Sequence, residues 1–390
     1  MNRRCFLRGT AAVGAVGTAG LAGCLERLGF KEQSAWANPP LVENRPDAVY
    51  LPASREEMGM YGTATDGDYA AALTYTFPHR FWVVSGGKER VGVNADDSHH
   101  LMFSLWDRQT GTVLPVNTRI EILQDGSPVD IGVSSLWPML SQRMGFHYGD
   151  NVQLPGEGEY TARIRAGPVT LERTGAFEGR LGSRATLEID FEYARSDING
   201  LSFSTIDESK RGSRDALPLM GHGGSEDSGG SKDNGGSGGS SKTGGGGDGS
   251  ETSGSGGRPM GQATPIEDLP GELLGTERSG DVVLPVLTAD IARFTDGGTY
   301  LAVCPRTPYN DLIVPFTSLS ATVERDGSVV HEGTLTETLD GTYGHHYGLA
   351  VDDLAAGDQI TITVDTPPQV ARHDGYETAF FEFEPVTYTV

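Results

Sequence analysis

The chain is poor in cysteine: three among 390 residues, Cys5, Cys24 and Cys304. Cys5 and Cys24 lie in or beside an N-terminal targeting segment, so Cys304 is left alone and no intramolecular disulfide framework exists. It sits in the apolar run Tyr300-Leu-Ala-Val-Cys and reads as a buried small hydrophobe. Lysine is scarce, and no basic patch offers itself to nucleic acid. No Gly-x-Ser-x-Gly, His-Glu-x-x-His or P-loop run is found, so the chain is not expected to be an enzyme. No convincing amphipathic helix is legible. The apolar run Ala11–Ala22 is too short and too rich in small residues for a good membrane span.

What is present begins with export. Arg3-Arg4-Cys5-Phe6-Leu7 is a twin-arginine signature, and Leu21-Ala22-Gly23-Cys24 is a lipobox with Cys24 as the residue to be lipidated. Residues 1–23 are therefore expected to be a signal peptide and residues 24–46 a tether. The mature protein would be extracytoplasmic, held at the membrane by its lipid. The formal net charge is -23, and removing Arg3, Arg4 and Arg8 with the signal gives -23 - 3 = -26. The acids are scattered, which fits the solvated surface of a salt-adapted protein whose self-repulsion salt screens.

From Asp47 onward the text is strand-like. Strands are predicted at Tyr69–Phe77, Phe81–Val84, Val91–Val93, His100–Trp106, Arg119–Gln124, Glu159–Ile164 and Ala185–Tyr193, with Asp125-Gly126-Ser127 as a hairpin turn. About seven short strands over some 150 residues fit a β-sandwich. Residues 221–261 are Gly/Ser-rich and cannot bury a core. Beyond them the markers return at offsets near 200. Asp125-Gly-Ser recurs as Asp326-Gly-Ser, and Gly145-Phe-His-Tyr-Gly149 recurs as Gly344-His-His-Tyr-Gly348. The expected architecture is all-β: two homologous, immunoglobulin-like β-sandwiches at 47–200 and 271–390, independent of each other and joined by a disordered linker at 201–270.

The stretch Trp137–Asn151 draws attention because it places Met139, Met144 and His147 within nine positions. Pro138, Gly145 and Gly149 make it read as a shaped loop between strands. Thioether and imidazole together suit Cu(I), and imidazole also accepts iron, nickel or zinc. The plainer alternative is a gap-filling Met pair beside a histidine that hydrogen-bonds the backbone. His99-His100 and His345-His346 are vicinal pairs, of which one member each can face a given site.

Met139-x7-His147-Tyr-Gly-Asp-Asn151, followed by Gly158-Glu-Tyr-Thr-Ala-Arg-Ile and Gly167-Pro168, resembles the extracytoplasmic iron-transport-associated protein family. The resemblance covers residues 47–195 well and 275–390 more loosely. It implies an immunoglobulin-like sandwich carrying a surface copper site, associated with iron transport, built from Met and His side chains. Carried over by position, it implies His79, Met139 and His147 as ligands, with Met144 a competitor of Met139. Trp137 stands where the family has a first Met. The family's last His finds no match in the first unit, where Glu172-Arg-Thr-Gly175 stands, but resembles His373 in the second. The second unit would then hold His346 and His373 with no Met near Leu339. The resulting expectation is a lipid-anchored protein that captures copper or ferrous iron and passes it to a metal permease or electron-transfer partner. The alternative is a cell-surface interaction or spacer module with structural histidines.

Overall fold

Alternation of apolar and polar residues builds the strands. Ala185–Tyr193, ATLEIDFEY, buries every second residue, as one covered sheet face demands. A computed structural model describes residues 39–220 and 259–390. The expected signal peptide, Cys24, most of the tether and residues 221–258 lie outside the described residues. In the first half the strands are β1 (Ser54–Glu56), β2 (Gly59–Asp66), β3 (Tyr69–Thr76), β4 (Phe81–Val84), β5 (Lys88–Val91), β6 (His99–Asp107) and β7 (Thr118–Gln124). They continue with β8 (Ser127–Pro128), β9 (Trp137–Ser141), β10 (Gly145–Val152), β11 (Gly158–Ala166), β12 (Glu172–Thr174), β13 (Ala185–Tyr193) and β14 (Phe203–Thr205). The second half supplies β15 (Glu272–Ser279), β16 (Val282–Ala289), β17 (Thr299–Val303), β18 (Ser318–Arg325) and β19 (Ser328–Thr334). It ends with β20 (Thr336–Asp340), β21 (Gly344–Val351), β22 (Gln359–Thr366), β23 (Ala371–Arg372) and β24 (Val386–Thr389). Among the described residues, no helix is long and apolar enough to cross a membrane.

The expected all-β class holds, but the two halves are not independent. The large sheet of the first half runs β2-β3-β6-β10-β9-β23-β4-β5, and its sixth member comes from the second half. Reciprocally, the second half's sheet runs β12-β20-β21-β17-β16-β15 and begins with a strand of the first half. Each exchanged strand pairs in parallel with an equivalent partner: β23 with β9, Ala371 opposite Met139, and β12 with β20, Glu172 opposite Thr338. The physical reason is that sheet edges carry unpaired N–H and C=O groups, which a short strand from the other half satisfies. One apolar cluster accordingly runs from Leu73, Phe103 and Leu140 into Leu284, Val303 and Ile362.

Two further expectations change. Trp137–Asn151 is not a loop but the hairpin β9–β10, with His147 opposite Met139. Its two glycines do different things: Gly145, at φ 68, turns the chain, whereas Gly149 lies within β10. Order also extends into the expected linker, since Phe203–Thr205 pairs with Ser54–Glu56 and Met220 N–H donates to Arg143 O at 3.0 Å.

Exchange of β12 and β23 has a testable consequence. A chain carrying an inserted protease site between residues 221 and 258, once cut, should elute from gel filtration as one particle. Its fragments should part only in denaturant. Two separately eluting folded fragments in native buffer would contradict the shared sheets.

Candidate metal centre

Three imidazoles converge beside the β9–β10 hairpin. The ligand atoms of His79, His100 and His373 all lie within 4.8 Å of one another. Ring centroids are 4.1 Å apart for His79 and His100, 4.8 Å for His79 and His373, and 5.2 Å for His147 and His373. A thioether joins them. A Cβ built on Gly149 would lie 2.8 Å from His100 Nε2 and 3.0 Å from Met139 Sδ, so both donors crowd the same bare backbone. His100, His147 and Met139 are fully buried and His79 nearly so, while His373 is half-buried and lines the adjoining cavity, so the centre lies just beneath the expected surface location.

Each ring is oriented by local sequence. His100 and His147 project toward the site because strand residues alternate; His99 points the other way and stacks on Tyr193 at 5.2 Å. By the same alternation Tyr148 enters the core, where its hydroxyl accepts from Val116 N–H at 2.8 Å. His79 sits in the connection after β3, fixed by Asn151, which accepts from His79 N–H at 3.3 Å and donates to His79 O at 2.9 Å. His373 follows β23. Its segment is locked by Arg372, buried, with its guanidinium donating to the Ala379, Pro368 and Phe380 carbonyls. Arg80 and Asp374, the residues after His79 and His373, form an ion pair that ties the two segments together.

Tautomers follow from the oxygens nearby. His100 Nδ1 lies 2.9 Å from Asn151 Oδ1, His147 Nδ1 2.9 Å from Gly145 O, and His79 Nδ1 3.0 Å from Phe77 O. Since a carbonyl oxygen only accepts, Nδ1 carries the proton in His147 and His79, and Nε2 keeps its lone pair. Asn151 spends its amide N–H on His79 O, so its Oδ1 accepts from His100 in the same sense. Such second contacts hold metal-binding imidazoles in place. His79 Nε2 and His373 Nδ1 stand 3.0 Å apart, so one donates to the other. Two nitrogens bound to one ion at about 2.0–2.1 Å in tetrahedral geometry stand roughly 3.3 Å apart, slightly more than this hydrogen-bonded separation.

The electrostatics favour neutral donors. Burial, with the neighbouring histidines, pushes His100 and His373 well below the ordinary histidine value. His79 moves the other way: burial would lower it, but the Glu56 carboxylate, 3.2 Å from Nδ1, and the hydrogen bonds raise it. His100 Nε2 and His373 Nε2 are buried without a hydrogen-bond partner. Orphaned buried lone pairs are costly and call for an explanation, which a bound cation supplies. The donor set therefore fits a soft metal.

The residues expected from the sequence divide accordingly. His79, Met139, His147 and His373 come together, His373 in the first half's site rather than in a second one. Met144 lies at the hairpin turn and lines the adjoining cavity. His346 is not joined to other ligand groups: Nδ1 faces Gly344 O at 3.2 Å and Nε2 faces Tyr300 Oη at 2.9 Å. Register gives the equivalences. His147 opposes Met139 where His346 opposes Thr338, and His100 opposes Asn151 where Tyr300 opposes Ala350. Position 373 corresponds to Thr174. The second half thus carries Thr338, Thr174 and Tyr300 where the first carries Met139, His373 and His100, candidate donors. The sequence allowed one of His99 and His100 to face a site without saying which; four residues past His147, Asn151 is the partner that a strand-pairing argument could have found for His100.

Gly149→Ala is expected to lower metal affinity at least about tenfold, because the new methyl would displace His100 or Met139. A metal-competition titration checks this. Unchanged affinity would show that neither donor takes part.

Comparisons with known proteins give limited overlap. A family model described as a domain of unknown function, DUF7350, matches residues 267–389. No curated protein matches the chain. FetP of a uropathogenic Escherichia coli strain is similar over 35% of this chain and 97% of its own, at 17% identity and a TM-score of 0.28. A copper-bound variant of FetP covers 30% of this chain and 95% of its own, at 17% identity and a TM-score of 0.25. A copper-bound variant of Campylobacter jejuni P19 covers 30% and 93%, at 13% identity and a TM-score of 0.25.

Proposed function

We propose that this is a lipid-anchored, extracytoplasmic copper-binding protein that takes up Cu(I) and passes it to a membrane permease or electron-transfer partner. The observation that carries the reading is the convergence of His79, His100 and His373 with the Met139 thioether, a largely buried set of nitrogen and sulfur donors. Neutral nitrogen and thioether sulfur suit Cu(I) better than ferrous iron, whose common sites include a carboxylate. Two carboxylates close to the imidazoles are already engaged, Glu56 at His79 Nδ1 and Asp374 by Arg80. The second half has the structural role: it supplies His373, while its own His346 is hydrogen-bonded on both nitrogens.

Protein purified from its own host should carry one copper per chain by native mass spectrometry; a metal-free chain that also refuses Cu(I) in vitro would sink the reading. Affinity should fall on acidification, since each proton on an imidazole competes with the metal. The first loss belongs to His79, whose raised value puts it above the usual histidine range of about 6.5; His100 and His373 join at lower pH. Cu(I) competition between about pH 5 and 8 reads this directly, and a flat profile would contradict imidazole ligation.

A further inference from the structure

Residues 39–51 supply no ligand to the metal centre, yet they are built onto the segment that follows His373. Tyr50 N–H donates to Gly375 O at 3.2 Å, Thr378 Oγ1 donates to Ala48 O at 3.3 Å, and Arg45 pairs with Glu377 at 3.0 Å. Tyr50 Oη donates to the same Glu377 carboxylate. The two segments lie close together. At Gly375, φ 92, an added Cβ would stand 2.7 Å from Tyr50 O. The N-terminal end of the run is fixed by Arg80, the residue after His79. Its guanidinium is buried and donates to Pro39 O, to Pro40 O and, through Nε and Nη2, to Asp374. One planar fork therefore joins the His79 segment, the His373 segment and the start of the N-terminal run. Pro39 is buried and shares the wall of a cavity of about 110 Å³ with His79 and His373.

His373 is the half-buried donor, so exchange of metal with solvent begins on its side of the centre. We propose that residues 39–51 form a clasp over that side, latched by Arg80 as a positioning residue, and that the clasp governs how fast Cu(I) enters and leaves. Loosening it raises entry and release together, because both pass through the same opening movement, and the ratio that sets affinity stays. A partner that displaces Pro39 and Pro40 would open the centre at the moment of transfer. The inference rests on His373 being a ligand, and the test keeps the two apart.

Arg80→Lys in the full-length protein is the main variant. An ammonium keeps a positive charge beside Asp374 but lacks the fork that also reaches the Pro39 and Pro40 carbonyls. Arg45→Gln loosens the other end of the clasp, where Arg45 is partly exposed. Stopped-flow transfer of Cu(I) to and from a chelator should show both rates rising at least about fivefold in each variant, while equilibrium affinity stays within about threefold. An unfolding midpoint like the parent's confirms that each variant is folded. Parent-like rates in both variants overturn the proposal. Faster release with unchanged entry, and affinity lowered in proportion, also overturns it, because Arg80 then only orients the two histidines. A His373→Ala protein that binds Cu(I) like the parent would instead overturn the ligand reading itself.

Discussion

Replacing His373 with alanine is expected to lower Cu(I) affinity at least about a hundredfold, roughly 2.7 kcal/mol, measured by competition against a chelator of known affinity. Loss of groups that only orient ligands costs about 10–100-fold in metal sites, so removing a direct donor should exceed that. The effect should arise at a residue 234 positions beyond Met139 and 294 beyond His79, because strand β23 carries it across into the first half's sheet. His346→Ala is the control. Its ring bonds Tyr300 and Gly344, so copper affinity should stay within about twofold of the parent. If His373→Ala binds within about threefold of the parent, the exchanged histidine is not a ligand.

Asp340→Ala is expected to cost about 3–5 kcal/mol of unfolding free energy while leaving copper affinity unchanged. Asp340 is wholly buried and accepts from Arg293 Nε at 2.7 Å and Nη2 at 2.8 Å, from Thr342 N–H at 2.8 Å, and from Thr174 Oγ1 at 2.8 Å. Removing the carboxylate leaves a partly buried guanidinium and several donors uncompensated, the costly way to break such a pair. Arg293 keeps some contact with solvent, which places the loss toward the lower end. The bond from Thr174 joins the two halves at the position equivalent to His373, and Asp340 itself stands where the first half has Ser141. Burial pushes the Asp340 carboxyl up, but Arg293, Thr342 and Thr174 outweigh it and hold the group below its ordinary value. A depressed carboxyl stabilises the fold above the unfolded value of about 3.9 and loses that contribution as pH falls through its folded value. The difference between parent and variant should therefore be constant from about pH 5 to 8 and shrink only in strong acid. A denaturant midpoint unchanged by the substitution would refute it.

Much of the fold was legible because its signals are local. Alternation marked Ala185–Tyr193, and Asp-Gly turns closed the hairpins at Asp125 and Asp326, both at positive φ. The repeated His-Tyr-Gly has a local cause too: histidine to one face, tyrosine to the core, glycine where another side chain approaches. Gly149 admits His100 and Met139, and Gly348 admits Tyr300, whose hydroxyl would lie 1.6 Å from an added Cβ. The repeat therefore recorded a shared backbone rather than a shared metal. Trp137–Asn151 misread as a loop because proline and two glycines were weighed as breakers, although only Gly145 turns the chain.

By itself the sequence determined the all-β class and the internal duplication, since each depends on residues a few positions apart, such as period-two burial and turn glycines; as ligands, the candidate donors His79, Met139, His147 and His373 came from a family resemblance rather than from any local pattern. Only the tertiary structure decided which donors meet. Parallel pairing of β23 with β9 depends on satisfying a sheet edge, a requirement that carries no local pattern, and it moves His373 into the first half. The same exchange puts Thr174 beside Asp340 and leaves His346 to Tyr300. Which face His100 and His99 occupy was likewise settled by register, because a shift of one residue would have reversed them.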